Sequence, residues 1–404
     1  MAIPEITKFA EAKGLNLVGT GDFTNPRWLA EIKENLEEVP DADIYRPRVD
    51  LKSPVRFMIT GEVSTIFTYE NRVRKVHHVI WTPNIETGEQ INDRLAGFGD
   101  LSSDGRPVFN ASAPEIAEVI METSARNVII PAHVWTPWFS LFGAFSGFDR
   151  IEDCYQDQTE HIFALETGLS SDPPMNWRLS ELDRFALVSN SDCHSAWPWR
   201  LGREANLLEL ERLSYEEIVD AIRSKDAARF KGTIEVNPAY GKYHWTGHRG
   251  CGISMPPQKA MSLQDFCPVC HLKLTKGVEE RIEELADRPP GFKPEGAISF
   301  THLLPLHEII ANAVKVSSFT NKTVWRIYNT LIGRFGNEYS VLMEASAKKM
   351  GDVVGPRVAE AILRVREGLV KIEPGYDGEY GKLEIFEEGT ETARESRLTL
   401  EDFW

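Results

Sequence analysis

Residues 185–195 read FALVSNSDCHS. The apolar run from Phe185 to Val188 has the look of a short buried strand, and the polar residues after it look like a turn. Asp192 and His194 stand two apart just beyond that strand. On an extended segment, positions i and i+2 point the same way, so a carboxylate and an imidazole at this spacing can reach adjacent metal ions. An ordinary turn that happens to hold a histidine looks the same locally. The remainder of the chain has to decide between them.

The pattern recurs upstream. LNLVGTGD (15–22) ends in Asp22, and FMITGE (57–62) ends in Glu62. KVHHVI (75–80) carries His77 and His78, and VIIPAH (128–133) ends in His133. Between these runs lie amphipathic helical stretches, notably PEITKFAEAK (4–13), SAPEIAEVIMETSA (112–125) and SYEEIVDAIRSK (214–225). Strands alternating with helices predict an α/β fold with a mostly parallel sheet or barrel. In parallel βα units the carboxyl ends of the strands open on one face, where active sites assemble. Five successive strands would aim Asp, Glu and His side chains at one mouth. Such a set suits Zn²⁺, Mn²⁺ or a related divalent ion and the hydrolysis of phosphate esters, with Glu62 as the bridging carboxylate.

A second cluster lies further on. HRGC (248–251) and CPVC (267–270) each place two ligands two residues apart, with 15 residues between Cys251 and Cys267. Two knuckles at this separation are the signature of a structural zinc ribbon, and His248, Cys251, Cys267 and Cys270 complete a tetrahedral set. The five cysteines are odd in number and the start MAIPEITKFAEAKG has no apolar export signal, which argues for metal rather than disulfides and for a cytoplasmic protein. No apolar run is long enough to span a membrane.

The net charge of −16 counts against a nucleic-acid binder at first sight. Residues 241–277, however, carry Lys242, Arg249, Lys259, Lys273 and Lys276 against Asp265 alone. A local basic face of this kind suits a phosphate backbone. DRPPGFKPEG (287–296) then reads as a linker, and residues 300–370 read as helices. The expected divisions are 1–240, a metal-dependent phosphoesterase domain; 241–286, a zinc-binding module; 298–385, a helical domain; and 386–404, a mobile acidic tail.

The series Glu62, His78, His133 and DCH resembles the polymerase-and-histidinol-phosphatase (PHP) superfamily. More narrowly, GLNLVGTGD, VHHVI, PAHVWTPW, LETGLSSD, SNSDCHS, RLGRE, GKYH, CPVC and LLPLHEIIA resemble the endonuclease Q family over nearly the whole chain. The resemblance implies a distorted PHP-type β/α barrel joined to a small zinc-ribbon-like module and a C-terminal helical domain. It implies catalytic metal ligands at Asp22, Glu62, His78, His133, Asp192 and His194, with Glu62, Asp192 and His194 catalytic. His77 is the less expected of its pair. The implied cofactors are a structural Zn²⁺ and two or three catalytic divalent ions (Zn²⁺, Mn²⁺ or Mg²⁺).

The implied activity is cleavage of DNA on the 5′ side of a deaminated base (uracil, hypoxanthine, xanthine) or an abasic site. The implied partners are DNA with damaged bases and a replication or repair protein. Trp135 and Trp138 are candidates to stack on a base, and Arg200, Arg203 and Lys242 to hold phosphate. PHP enzymes open with a strand carrying His-x-His, and this chain has none. Its first strand is therefore expected to be missing, and the 404-residue chain to have weak or no nuclease activity until upstream codons are restored. The competing readings are a PHP phosphoesterase for a small phosphorylated metabolite and a non-catalytic DNA- or partner-binding protein.

Overall fold

The computed structural model describes residues 1–103 and 106–386; most of the expected acidic tail (386–404) lies outside the described residues. The chain divides into two compact units. The first is Met1–Leu303 with Pro374–Gly381, and the second is Leu304–Glu373 with the chain from Lys382. The cysteine-rich segment 241–286 lies within the first unit.

Local rules explain the helices that frame the first unit. Helix Ile3–Lys13 starts with proline in its first turn and stops at Gly14, whose φ of 99° only glycine adopts without strain. Helix Ala113–Thr123 begins with a capping box in which Ser112 and Glu115 satisfy each other's backbone donors. Ser214 caps helix Tyr215–Ser224 through the Glu217 amide.

The strands follow in chain order: β1 (Leu17–Gly19), β2 (Leu36–Val39), β3 (Ile44–Pro47), β4 (Arg56–Tyr69), β5 (Arg72–Thr82), β6 (Val108–Phe109), β7 (Val128–Pro131), β8 (Ala164–Glu166) and β9 (Ala186–Val188). β1 to β7 form one sheet in which β2–β3–β4–β5–β7 run in order, with β1 and β6 both parallel to β4. β8 and β9 pair in parallel as a separate sheet.

The sequence pattern predicts a mostly parallel arrangement, and the structure corrects this. β4 and β5 form a long antiparallel hairpin, and β7 is antiparallel to β5. The reason is the connection: Glu70 and Asn71 both adopt positive φ, 47° and 60°, which closes a two-residue hairpin. A parallel pair would need a crossover of a dozen residues or more.

The hairpin is buried on both faces. Ile59 and Val63 of β4 and Val76 and Ile80 of β5 enter the main core, against Phe109, Ile116 and Ile120. Met58 and Trp81 enter a second core with Val128, Ile130, Tyr215 and Ile218. Each fully buried side chain of this size contributes roughly 1.5–3 kcal/mol. The second unit is built from helices Leu306–Ala313, Lys322–Phe335, Ala347–Val354 and Pro356–Arg366 with a short antiparallel hairpin, Lys371–Glu373 and Lys382–Glu384. Among the described residues, no helix is long and apolar enough to cross a membrane.

Candidate metal centre and zinc cluster

Glu62 and His77 owe their meeting to register. In the β4–β5 ladder Ser64 stands opposite His77, and Val63 stands opposite His78. Side chains alternate across a strand, so Glu62, Ser64 and His77 share one face, while Val63 and His78 share the other. Glu62 is therefore a mid-strand residue and not a strand end, since β4 continues to Tyr69.

His133 completes the group from the loop after β7. Its backbone has φ 30°, outside the regions that side chains ordinarily occupy. Gly168 packs so tightly against it that a Cβ there would lie 2.5 Å from the His133 Cβ. His77 Nδ1 lies 3.0 Å from His133 Nε2 and 3.1 Å from Glu62 Oε1. A tetrahedral ion with ligand bonds of about 2.0–2.1 Å separates its ligand atoms by about 3.3 Å. These three side chains thus fit one ion.

The structure corrects the expectation for His78, which is fully buried on the core face. Its Nε2 meets Thr65 Oγ1 at 2.9 Å and its Nδ1 meets Tyr155 Oη at 2.5 Å. Burial pushes its pKa down to about 3. It is a neutral core histidine, and His77 takes the place expected for it.

Glu166, at the end of β8, orients His133. It accepts the His133 backbone N–H at 2.9 Å and faces Nδ1 at 3.5 Å. Glu166 Oε2 is the acidic oxygen facing Nδ1, and an Nδ1 proton turned toward it would leave the Nε2 lone pair facing His77. Asn190 donates to the other Glu166 oxygen at 2.8 Å.

Asp22 and Asp192 also have left-handed backbones, with φ 45° and 41°. Asp192 and His194 are thus not on an extended segment, yet they stay close, 3.5 Å between Nε2 and Oδ1. Arg106 ties Asp192 to Glu62, with Nε 2.6 Å from Glu62 Oε1 and Nη2 2.6 Å from Asp192 Oδ1. Burial would raise the Glu62 carboxyl, but the His77 hydrogen bond and the His133 and Arg106 charges outweigh it and hold it low. Asp192 is held low too, against burial, by His194 and Arg106. Asp22 is raised, by burial first and then by the Glu62 charge. Neither Arg106 nor Glu166 was legible as a site residue.

The other candidates divide. Trp135 is a core residue, corrected from a stacking platform: it is 1% exposed and donates from Nε1 to Asn176 at 2.8 Å. Trp138 is exposed, stacked on Phe145 with centroids 4.8 Å apart and met edge-on by Tyr243. Arg203 is turned inward, its Nε donating to the Ser191 carbonyl. Arg200 is half-buried, and Lys242 is exposed with its ammonium over the Tyr380 ring. Lys276 leaves the basic face, because Asp265, Glu280 and Glu284 surround its ammonium.

The knuckles converge. Ligand atoms of His248, Cys251, Cys267 and Cys270 all lie within 4.8 Å of one another, with Cys270 Sγ 3.3 Å from His248 Nδ1. HRGC turns off the hairpin Thr246–His248 with Ile253–Met255. Backbone N–H groups of Cys270 and Val269 help draw the Cys267 thiol down to about 6, the Cys270 amide foremost, which favours the thiolate a metal needs. Only Met255, Ala260, Cys267 and Leu274 form the fully buried core here, too few to hold a fold without a staple. Four convergent soft donors around so small a core fit a zinc ion.

A search of solved structures finds the Pyrococcus furiosus lesion-specific endonuclease PfuEndoQ, with a TM-score of 0.84 and 34% identity, covering 100% of this chain and 94% of that one. This chain belongs to the endonuclease Q family. A second endonuclease Q structure, crystallised with a 27-mer duplex carrying an abasic lesion at the active site, matches equally, with TM-score 0.84 and 34% identity over 100% and 95% of the two chains. Residues 305–369 match the family described as the MJ0043 C-terminal domain. Uncharacterized protein MJ0043 of Methanocaldococcus jannaschii is 35% identical over 278 residues, 67% of this chain and 33% of its own length. The chain thus spans about a third of the length of MJ0043. Uncharacterized protein YqxK of Bacillus subtilis is 25% identical over 94% of this chain and 91% of its own.

Proposed function

We propose that this endonuclease Q-family chain is a metal-dependent DNA repair endonuclease. It cuts the phosphodiester 5′ of a deaminated base (uracil, hypoxanthine or xanthine) or an abasic site. The observation that carries this reading is the convergence of Glu62, His77 and His133 on one ion-sized position, within a fold shared with a lesion-specific endonuclease. A divalent ion (Zn²⁺, Mn²⁺ or Mg²⁺) supplies an acidified water and polarises the phosphoryl oxygens when bound. Glu62 and His77 would hold it from the β4–β5 hairpin. Glu166 stands behind the His133 ring, where it would favour the tautomer that leaves Nε2 free for the ion. Asp22, Asp192 and His194 lie beside this group, Asp22 within reach of the Glu62 charge, and would offer proton-accepting oxygens and an exposed imidazole to the reacting groups.

A lesion-bearing nucleotide is cheap to unstack, and the exposed Trp138–Phe145 pair offers it a flat apolar surface. In this reading residues 1–240 are a PHP-type metal-dependent phosphoesterase domain. His248, Cys251, Cys267 and Cys270 hold a structural zinc ion.

The test is incubation with Mn²⁺, Mg²⁺ or Zn²⁺ and labelled duplexes holding one uracil, hypoxanthine or abasic site, beside an undamaged duplex and a phosphomonoester. The expected result is a nick 5′ of the lesion and none in the undamaged duplex. Phosphate release from the monoester without a nick would assign a metabolite phosphatase instead. A gel shift without a nick would assign a non-catalytic binder.

A further inference from the structure

We propose that the Arg106 guanidinium stands where a second catalytic ion would otherwise bind, so that the centre takes one divalent ion. This rests on the reading of Glu62, His77 and His133 as ligands, and it departs from the two or three ions that the family resemblance implies.

Arg106 joins two carboxylates that come from separate parts of the fold. Glu62 is in the middle of β4, and Asp192 follows β9. The two contacts of 2.6 Å engage Glu62 Oε1 and Asp192 Oδ1. A metal held by those two oxygens at about 2.0–2.2 Å would have to lie in the space that the guanidinium occupies. The planar guanidinium fills the space between them, donating from Nη2 to Asp192 Oδ1 and pairing by charge and close approach with Glu62 Oε1.

Arg106 and Glu62 are 20% and 14% exposed, so that pair is shielded from water, while Asp192 at 36% faces solvent. A guanidinium does not lose its charge in the physiological range. The charge balance agrees. Asp22, Glu62 and Asp192 bring three negative charges to the cluster, and one divalent ion plus Arg106 brings three positive ones. Glu166 is committed to His133 and Asn190. A second divalent ion beside the guanidinium would leave an excess of positive charge in a poorly hydrated site, which is unfavourable.

Glu62 Oε1 is the shared atom. It lies 3.1 Å from His77 Nδ1 on the metal side and 2.6 Å from Arg106 Nε on the other. One carboxylate oxygen thus faces both cations, as a bridging ligand does between two metals. An ion pair serving only to pin down the loop that carries Arg106 would have no need of the oxygen that faces His77.

The experiment counts Mn²⁺, which prefers oxygen and imidazole to thiolate and so avoids the cysteine cluster. Equilibrium dialysis with electron paramagnetic resonance of the full chain should find one Mn²⁺ per chain with an uncoupled signal. Arg106→Ala should bind a second Mn²⁺ and show an exchange-coupled signal. Arg106→Lys, which keeps the positive charge, should keep the single Mn²⁺. Two or more Mn²⁺ in the unaltered protein would overturn the proposal. So would a single Mn²⁺ in a folded Arg106→Ala. If Arg106→Ala does not fold, the unaltered protein and Arg106→Lys still decide, since two ions in either overturns the proposal. Counting ions is independent of cleavage, so a chain that binds one Mn²⁺ and cuts no DNA refutes the proposed function and leaves this inference standing.

Discussion

His77 Nδ1 lies 3.0 Å from His133 Nε2, although 56 residues separate them along the chain. Two ring nitrogens facing at this distance, with a carboxylate oxygen 3.1 Å from one of them, define a single position for an ion. Their neighbour His78, one residue away, faces the opposite side of the same strand. The difference between a ligand and a core residue is here one step of the pleat.

The adjacent histidines should therefore fail in different ways. His77→Ala should lower Mn²⁺ affinity at least tenfold with little change in melting temperature. His78→Ala should leave a cavity and strand the Tyr155 hydroxyl, destabilising the fold by about 2–4 kcal/mol. Mn²⁺ titration and urea unfolding of both variants check this. The reverse pattern would restore His78 as the ligand.

Glu166→Gln retains shape and removes the charge that faces His133 Nδ1. Metal affinity should fall about 10–100-fold, the usual effect of losing a carboxylate behind a ligating histidine. Isothermal titration with Mn²⁺ measures it, and circular dichroism should show an unchanged fold.

Removing one knuckle thiolate should release the structural ion. Cys267→Ser is expected to lose one equivalent of zinc by elemental analysis and to make the region from His248 to Leu274 protease-sensitive. Strong chelation of the unaltered protein should do the same. Full zinc retention in Cys267→Ser would contradict the four-ligand assignment.

Glu235 predicts a pH dependence of stability unconnected with the metal position. Burial raises its carboxyl to about 7, against the hydrogen bonds from Thr233, Thr167 and Ser189. The unfolded chain releases this proton near 4.5, while the folded chain keeps it until about 7. Stability from this group is therefore complete at acid pH and declines as pH rises through that window, by up to about 1.4 kcal/mol per pH unit. Glu235→Gln should gain stability relative to the unaltered protein at pH 8 and not at pH 4.5. The Glu204 carboxyl, raised alongside it by burial, keeps some slope in the variant. Urea midpoints across pH 4.5–8 test the difference.

Much of this was legible from residue order. The strands around Val18, Ile59, Ile80, Ile130 and Leu187 fall within the apolar runs that predict them. The caps at Ser112 and Ser214 follow from local chemistry. The cysteine knuckles were readable because their ligand spacing is a local property of the chain.

The antiparallel hairpin was not legible, because its turn residues Glu70 and Asn71 are not the usual Asn-Gly or Asp-Gly pair. Nor was the choice between His77 and His78, since Val76 and Ile80 flank one face while Val79 and Trp81 flank the other. A strand buried on both sides has no polar face to set the phase of the alternation.

By itself, then, the sequence determined an α/β chain with an acidic and histidine-rich set near its strands and a separate four-ligand cysteine cluster. Tertiary structure alone decided which of those side chains meet. Ladder register aimed His77 rather than His78, loops with left-handed backbones at Asp22, His133 and Asp192 carry three ligand candidates, and Arg106 reached across from a loop to bind Glu62 and Asp192. The physical reason is that residue type and spacing are encoded locally. Which charges become neighbours depends on contacts between residues that lie far apart in the chain, and those exist only once the core has packed.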